Sequence, residues 1–481
     1  MYKIKKGCTP AGRLQTRTWA RGIVTTYSYD ANTGELLNVD YSDTTPDITF
    51  TYDRLGRKAT INDAAGTRTL NYDPQTLRLI AEDRDGVLDK TLSRSYDALG
   101  RPDGLSVGSD YSVSFGYTNT GRMQEVVDGS DTFTYSYVND SDLLQSVTGP
   151  VMNTTYSYEP NRGVKTVVDN TVSGSTVSKY SYDYDELGRR QNRVQEGTAF
   201  SQDSFDDFEY NPRSEVTGSE RFAGTNPTDT SNPLTGLDFA YEFDNIGNRI
   251  SFTENSDLTE YTSNALNQYS SVSSAQSADN YSYDADGNLT FDGQFNYSWN
   301  GENRLVQVTS AVVTEGAKRL TFWYDHQGRR FQKRVEEYQS GAWNEIELTR
   351  FLYDSWNLIA EYDVTSGTNY LDKTYVWGLD LSLSPQGAGG VGGLLSMTEE
   401  SSSDTYYYAF DANGNVTQLI DESGSLAAHY EYSPFGKLTT SSGPMADANP
   451  FRFSSKYQDQ ATGLLYYGFR YMDTSTGRWL S

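Results

Sequence analysis

One octapeptide pattern recurs along this chain and constrains its fold more than any other feature. The unit is Tyr-x-Tyr-Asp-x-x-Gly-Arg. It is met at Tyr27, Tyr29, Asp30 and Gly34, and again at Tyr52, Asp53, Gly56 and Arg57. Further copies stand at Tyr96, Asp97, Gly100 and Arg101, at Tyr184, Asp185, Gly188 and Arg189, and at Tyr324, Asp325, Gly328 and Arg329. Tyr283, Asp284 and Gly287, and later Phe410, Asp411 and Gly414, are weaker copies. Tyr52, Tyr72, Tyr96, Tyr117, Tyr137 and Tyr158 follow one another at steps of 20 to 24 residues. A period of that length marks a repeat architecture, in which each unit buries its apolar face only against its neighbours.

Each position has a physical role. Strand side chains alternate, so Tyr-x-Tyr puts both rings on one face. Asp ends the strand and accepts N–H groups of the turn. Gly supplies the positive φ that closes a type I turn with a bulge. Arg opens the return strand and faces the Asp. About 20 residues hold two short strands and two turns. Each unit therefore reads as a β-hairpin, successive hairpins share one sheet, and tyrosines stack from unit to unit. A twisted sheet of this length has to curl or close. Long windows of helical apolar spacing are lacking. The predicted fold is all-β, a long repetitive hairpin sheet; curled into a spiral, such a sheet would give a hollow wall.

Composition fits a thin, half-wet layer. Apolar residues are 36% of the 481, and 38 tyrosines outnumber the 20 Phe and 7 Trp together. A deep aliphatic core is not expected. The net charge of −26 repels phosphate backbones and anionic membranes, so neither nucleic acid nor membrane is an expected partner. Cys8 is the lone cysteine, which rules out an intrachain disulfide. No run of 18 apolar residues occurs, and Lys3, Lys5 and Lys6 are followed by no apolar segment of the kind a secretory signal needs.

The search for chemistry yields little. Gly387, Gly389 and Gly392 match G-x-G-x-x-G, but no helix signal follows, and a Gly-rich bend between close strands explains them better. Asp284, Asp286 and Asn288 mimic the start of a calcium loop, as do Asp411, Asn413 and Asn415. Leu289 and Phe295 stand where such a loop needs Gly and Glu, and the hairpin turn demands the same residues. Asp459 and Asp473 occupy turn positions and read as turn caps. His326 and His429 form no metal set with Cys8. No catalytic, cofactor or metal residue is assigned. Polar stretches at 217–235 and 253–277 read as surface loops.

The final stretch changes character. Asn449, Pro450, Phe451, Arg452 and Phe453 are followed by Gly463, Tyr466, Tyr467, Arg470, Tyr471, Asp473, Gly477 and Arg478, in two or three tight strands. The hairpin units resemble YD/Rhs repeats, and Tyr406–Ser481 resembles the Rhs repeat-associated core domain. The division drawn is 1–404 for the repeats and 405–481 for the core. The resemblance implies a spiral shell enclosing a cargo, commonly the toxic C-terminal domain of a polymorphic toxin; teneurins and the shell subunits of insecticidal toxin complexes are similar. The expected role is structural rather than enzymatic, in a bacterial protein acting outside the cell or at its surface. The family's Asp-Pro and self-cleavage region would lie beyond Ser481, so no family catalytic residue is carried over. The chain reads as cut mid-pattern at both ends. A carbohydrate-binding or adhesion protein, with Tyr and Trp stacking on glycans, is the rival reading, and a self-processing protease a second.

Overall fold

The computed structural model describes residues 4–481; Lys3 lies outside them. Forty-three strands and one 3-10 turn (Phe453–Ser455) make up the regular structure of the described residues. The first 25 strands, from Lys5–Cys8 to Ala278–Asn280, form one sheet. Fourteen more, from Ser282–Tyr283 to Leu438–Ser442, form a second. The last four, Tyr457–Gln458 to Arg478–Trp479, form a third. Within each sheet a strand pairs antiparallel with the next in sequence, so the chain is a continuous meander of hairpins. The all-β expectation is met.

The motif builds each hairpin end as its chemistry dictates. The Asp53 carboxylate accepts the N–H groups of Leu55 and Arg57 at 2.8 and 3.0 Å, and holds the Arg57 guanidinium at 2.7 Å. Gly56 sits at φ 77. Asp97 with Arg101, and Asp185 with Arg189, repeat this bond for bond. In the Asp30 turn, one residue longer, Asn32 and Thr33 donate to the carboxylate and Gly34 takes φ 78. The register slips by one residue beside each motif Tyr, at Tyr29, Tyr52, Tyr96, Tyr184 and Tyr324 among others. A bulge at the same place in hairpin after hairpin adds twist at each step, which bends the strip into a spiral.

Successive units are joined differently from the expectation. The motif tyrosines are tied to backbone rather than to one another. Each Tyr hydroxyl instead donates to a backbone carbonyl of the preceding hairpin: Tyr29 to Leu14, Tyr52 to Leu36, Tyr96 to Leu79, Tyr184 to Lys165 and Tyr324 to Leu305, at 2.5–2.8 Å. The ring between them is covered by the preceding Arg: Arg57 lies 4.1 Å from the Tyr72 centroid, Arg101 4.4 Å from Tyr117 and Arg189 4.8 Å from Tyr210. Cation–π contact satisfies the guanidinium face while its edge stays bound to Asp, so one side chain serves two turns.

Leu77 occupies the glycine position of its turn at φ 63 and is half exposed. A left-handed conformation costs a branched L-residue about 1–2 kcal/mol. Leu77→Gly should therefore raise unfolding stability by about 1 kcal/mol; a denaturant titration that shows a loss instead would mean the leucine side chain makes a contact worth more than the strain.

The core also departs from expectation. The first sheet is a thin layer of alternating, half-buried strands. Parts of the second are buried on both faces, as in Asn357–Asp363 and Val416–Asp421. A single cluster reaches from Leu88 to Leu480 and mixes Leu, Val and Ile with Tyr and Trp. Composition underestimated it because its depth comes from stacking three thin layers. The segments 217–235 and 253–277 are mostly strand as well (Val216–Ala223, Asp257–Ser263, Tyr269–Ser274), with a loop at 224–232 and short turns at 255–256, 264–268 and 275–277. Their Ser, Thr and Asn residues alternate with Phe222, Tyr261 and Tyr269, which point inward.

Candidate functional site: the seam between windings and the inserted C-terminal sheet

The second sheet lies against the first in the same order along the chain. Arg21 meets Asp286 at 2.6 Å, Arg68 meets Asp325 at 3.3 Å, and Arg94 meets Asp354 at 2.8 Å. Further along, Tyr362 donates to Asp110 at 2.9 Å, Tyr407 to Asp131 at 2.7 Å and Ser178 to Gln418 at 2.6 Å; Arg221 then pairs with Glu431. The sheets are thus two windings of one strip, running in one direction. Arginine–carboxylate pairs are sorted across the seam, whereas Lys437 of the second winding pairs with Glu254 of the first. The first winding supplies arginines (Arg17, Arg21, Arg68, Arg94, Arg193, Arg221) and the second carboxylates (Glu302, Asp286, Asp325, Asp354, Asp411, Glu431).

All of these carboxylates but Glu431, which lies within the strand Leu426–Tyr432, belong to hairpin ends whose first-winding equivalents face solvent. Asp286, of the calcium-like triplet, accepts the Ala20 N–H and the Arg21 guanidinium. Asp284 caps its own turn, receiving N–H groups from Asp286 and Asn288. Asp411 caps in the same way, and Asn413 takes Arg190. Burial alone would raise Asp325, but Arg329 and then Arg68 hold its carboxyl at about 2. Glu431 is partly buried, which would raise it, yet the His429 hydrogen bond and Arg221 keep it well below the usual carboxylate range.

Both histidines lie in this seam. The His326 N–H donates to Asp63 at 2.7 Å, and its ring Nδ1 lies 3.3 Å from the same carboxylate, which also holds Arg68. Burial pushes the imidazole below its ordinary 6.5; the Asp63 hydrogen bond opposes this and Arg68 reinforces it. A histidine with a depressed folded value binds protons better when unfolded. Stability should be full above about pH 6.5 and decline as pH falls through that value. Melting curves at pH 7.5 and 5 should show this decline in the parent and a smaller one in His326→Gln; equal declines would remove His326 from the account.

The C-terminal sheet packs against both windings. Phe451 packs edge-on against Tyr375 and Trp377 at 5.0 and 5.6 Å. Asn449, fully buried, accepts the Tyr408 hydroxyl at 2.8 Å and donates to the Phe451 carbonyl at 2.6 Å. The Pro450 carbonyl accepts from Gln458, Arg452 donates to the Ala446 carbonyl, and Phe453 sits 5.7 Å from Tyr432. Gly463 and Gly477 close turns at φ 74 and 67. Arg470 covers Trp479, which meets Tyr467 edge-on. Arg478 reaches the first winding at the Asn267 carbonyl, 2.6 Å, and at Asn248, while the Leu480 carbonyl accepts the Leu289 N–H at the start of the second. The inserted sheet is fastened to both windings.

Its central anchor was not legible as such. Asp459 was expected to cap a turn. Its side chain instead pairs at 2.6 Å with Arg330, and both are almost wholly buried. Four rings surround that guanidinium, Phe322, Phe351, Tyr457 and Tyr466, at 4.7–5.1 Å. Tyr466 accepts the Arg330 N–H at 2.8 Å, and Tyr471 meets the motif Tyr324 hydroxyl at 3.0 Å. The one sequence signal is the doubled arginine of Gly328-Arg329-Arg330: Arg329 fills the motif role, so Arg330 is spare. Asp473 does cap its turn, through Ser475 and Thr476.

The glycine-rich loop at 378–393 wraps a carboxylate of its own. Asp380 accepts from the N–H groups of Ser382, Ala388 and Gly390 at 2.6–3.1 Å and from the Ser382 hydroxyl. A strand, Leu394–Glu399, follows it. Among the described residues no group of three or more His, Cys, Asp or Glu is placed to hold a metal ion, and no helix is long and apolar enough to cross a membrane.

A spiral hairpin wall, sealed along a charged seam and filled by an aromatic C-terminal sheet, defines a class of β-shell proteins. Residues 235–481 match the Teneurin YD-shell family model, and the chain belongs to that family. It is 28% identical over 393 residues to the tRNA3(Ser)-specific nuclease WapA of Bacillus spizizenii, covering 72% of this chain and 15% of that protein. It is 26% identical over 396 residues to the toxin subunit YenC1 of Yersinia entomophaga, covering 73% and 39%. In structure it is similar to the TcdB2-TccC3 complex, at a TM-score of 0.75 and 17% identity over 99% of this chain and 27% of the other. The chain thus spans well under half the length of these curated relatives.

Proposed function

We propose that this chain is a non-enzymatic wall segment that encloses a toxic domain carried on the same polypeptide and keeps it from the surroundings until delivery outside the producing cell. The observation that carries the reading is the double fastening of the inserted sheet, through Arg478 to the first winding and through Arg330 and Leu289 to the second. A wall closed in this way separates an inside from an outside. The names of the relatives, a nuclease and a toxin subunit, support a toxic cargo. The rival reading, with tyrosines as sugar platforms, has less support: motif rings are covered by arginine and their hydroxyls are bound to backbone. The test is protease protection. A protease-sensitive reporter domain joined after Ser481 should survive a protease dose that destroys the free reporter. A reporter digested at the free rate would sink the proposal.

A further inference from the structure

A cavity of about 290 Å³ opens where the inserted sheet meets the glycine-rich loop of the second winding. Its walls are aromatic: Trp356, Trp377, Phe451, Tyr467 and Phe469 line it. Trp356 and Phe469 meet at 4.5 Å between ring centres, tilted 50° to each other, and Phe469 is more than half exposed. No carboxylate is among the lining residues, in a protein of net charge −26. One cation is, Lys456.

The amine of Lys456 is unusually placed. It donates to the Gly389 carbonyl at 2.5 Å and lies 5.6 Å from the Tyr467 ring, and it makes no ion pair among the described residues. Burial lowers it to about 8, with Asp380 opposing through space. Asp380 is no counter-ion in hand, since four donors of its own loop already occupy it. The amine is partly buried and keeps N–H donors that no group among the described residues takes, so an anion in the cavity has a charged donor to meet. The space beside it takes one or two aromatic rings, and charged hydrogen bonds in such a site add specificity to stacking.

We infer that the cavity beside Lys456 is a binding site for a small aromatic carboxylate, its ring held among Trp356, Trp377 and Phe469 and its carboxylate against the Lys456 amine. Binding follows charge as well as shape. An aromatic acid binds more tightly than the neutral ring, and the neutral ring more tightly than the corresponding amine.

The experiment is a calorimetric and tryptophan-fluorescence titration of the full chain with indole-3-acetate, indole and tryptamine. Indole-3-acetate should bind at least about tenfold more tightly than tryptamine, the size of effect a charge-assisted bond provides. Lys456→Met should erase the preference and Lys456→Arg should keep it. The preference should also fade above about pH 8, as the amine loses its proton. Equal binding of acid and amine, no saturable binding of the acid, or an unchanged preference in a folded Lys456→Met each overturns the site. If Lys456→Met does not fold, the wild-type ranking of the three ligands and its pH dependence decide.

Discussion

Asp459→Ala should release the inserted C-terminal sheet from the wall, at a cost of about 3–5 kcal/mol. The magnitude follows from what the substitution leaves behind. Arg330 has no exposed surface and is ringed by four aromatic groups that accept its face but cannot neutralise its charge. Asp459 supplies that charge at 2.6 Å. Without it a guanidinium stays in an apolar box. The effect should be read by denaturant unfolding and by limited proteolysis, with new cleavage between residues 443 and 456, where the chain passes from the second sheet to the third. Replacing both partners by apolar residues, Arg330→Met with Asp459→Leu, should restore most of the loss, because a buried ion pair adds little net stability over a packed apolar pair. Should the single variant unfold like the parent, the anchor would have to lie elsewhere in the aromatic packing.

The second large effect is expected at the seam. Arg221 is buried and bridges two carboxylates, Asp206 at 2.7 Å in its own winding and Glu431 in the other. Arg221→Ala leaves Asp206 to Arg193 and Glu431 to Gln195 and His429. A loss of about 3–5 kcal/mol is expected at neutral pH. The pH dependence gives the cause its signature. Asp206 and Glu431 are held below their ordinary values, by Arg193 and Arg221 for the first and by His429 and Arg221 for the second, against burial that would raise both. Depressed carboxylates contribute stability that is complete above their unfolded values, 3.8 and 4.5, and is lost as pH falls through the folded ones. The gap between parent and variant should therefore be widest near pH 7 and shrink below about pH 4. A gap constant from pH 7 to 3 would assign the loss to packing rather than charge.

The two anchors and the repeat differ in how far they could be read beforehand. The turn chemistry is local, with Asp53, Gly56 and Arg57 within five residues of one another, so spacing alone announced it. The hairpin, its bulge and the all-β strip followed. The link between units spans about one repeat and was half legible: tyrosines were expected to join neighbouring hairpins, but the ring's partner is the preceding arginine. Arginine wins because it is already fixed by its Asp and presents a flat cation to the ring, whereas two tyrosines one repeat apart would leave that cation without a face to rest on.

What the sequence by itself determined is the strip: strand alternation, turn type, bulge and a repeat that must curl. What only the tertiary structure decided is which turn meets which strand when the strip returns upon itself. Arg21 finds Asp286, Arg221 finds Glu431 and Asp459 finds Arg330 across 265, 210 and 129 residues. The reason is physical. Turn geometry depends on neighbours in the chain, but the pairing of windings depends on twist summed over twenty-odd hairpins, and a few degrees at each step moves the contact by a whole turn. The same arithmetic hid the depth of the core. Each thin layer shows half-polar strands, and only their stacking reveals that strands such as Asn357–Asp363 are covered on both sides.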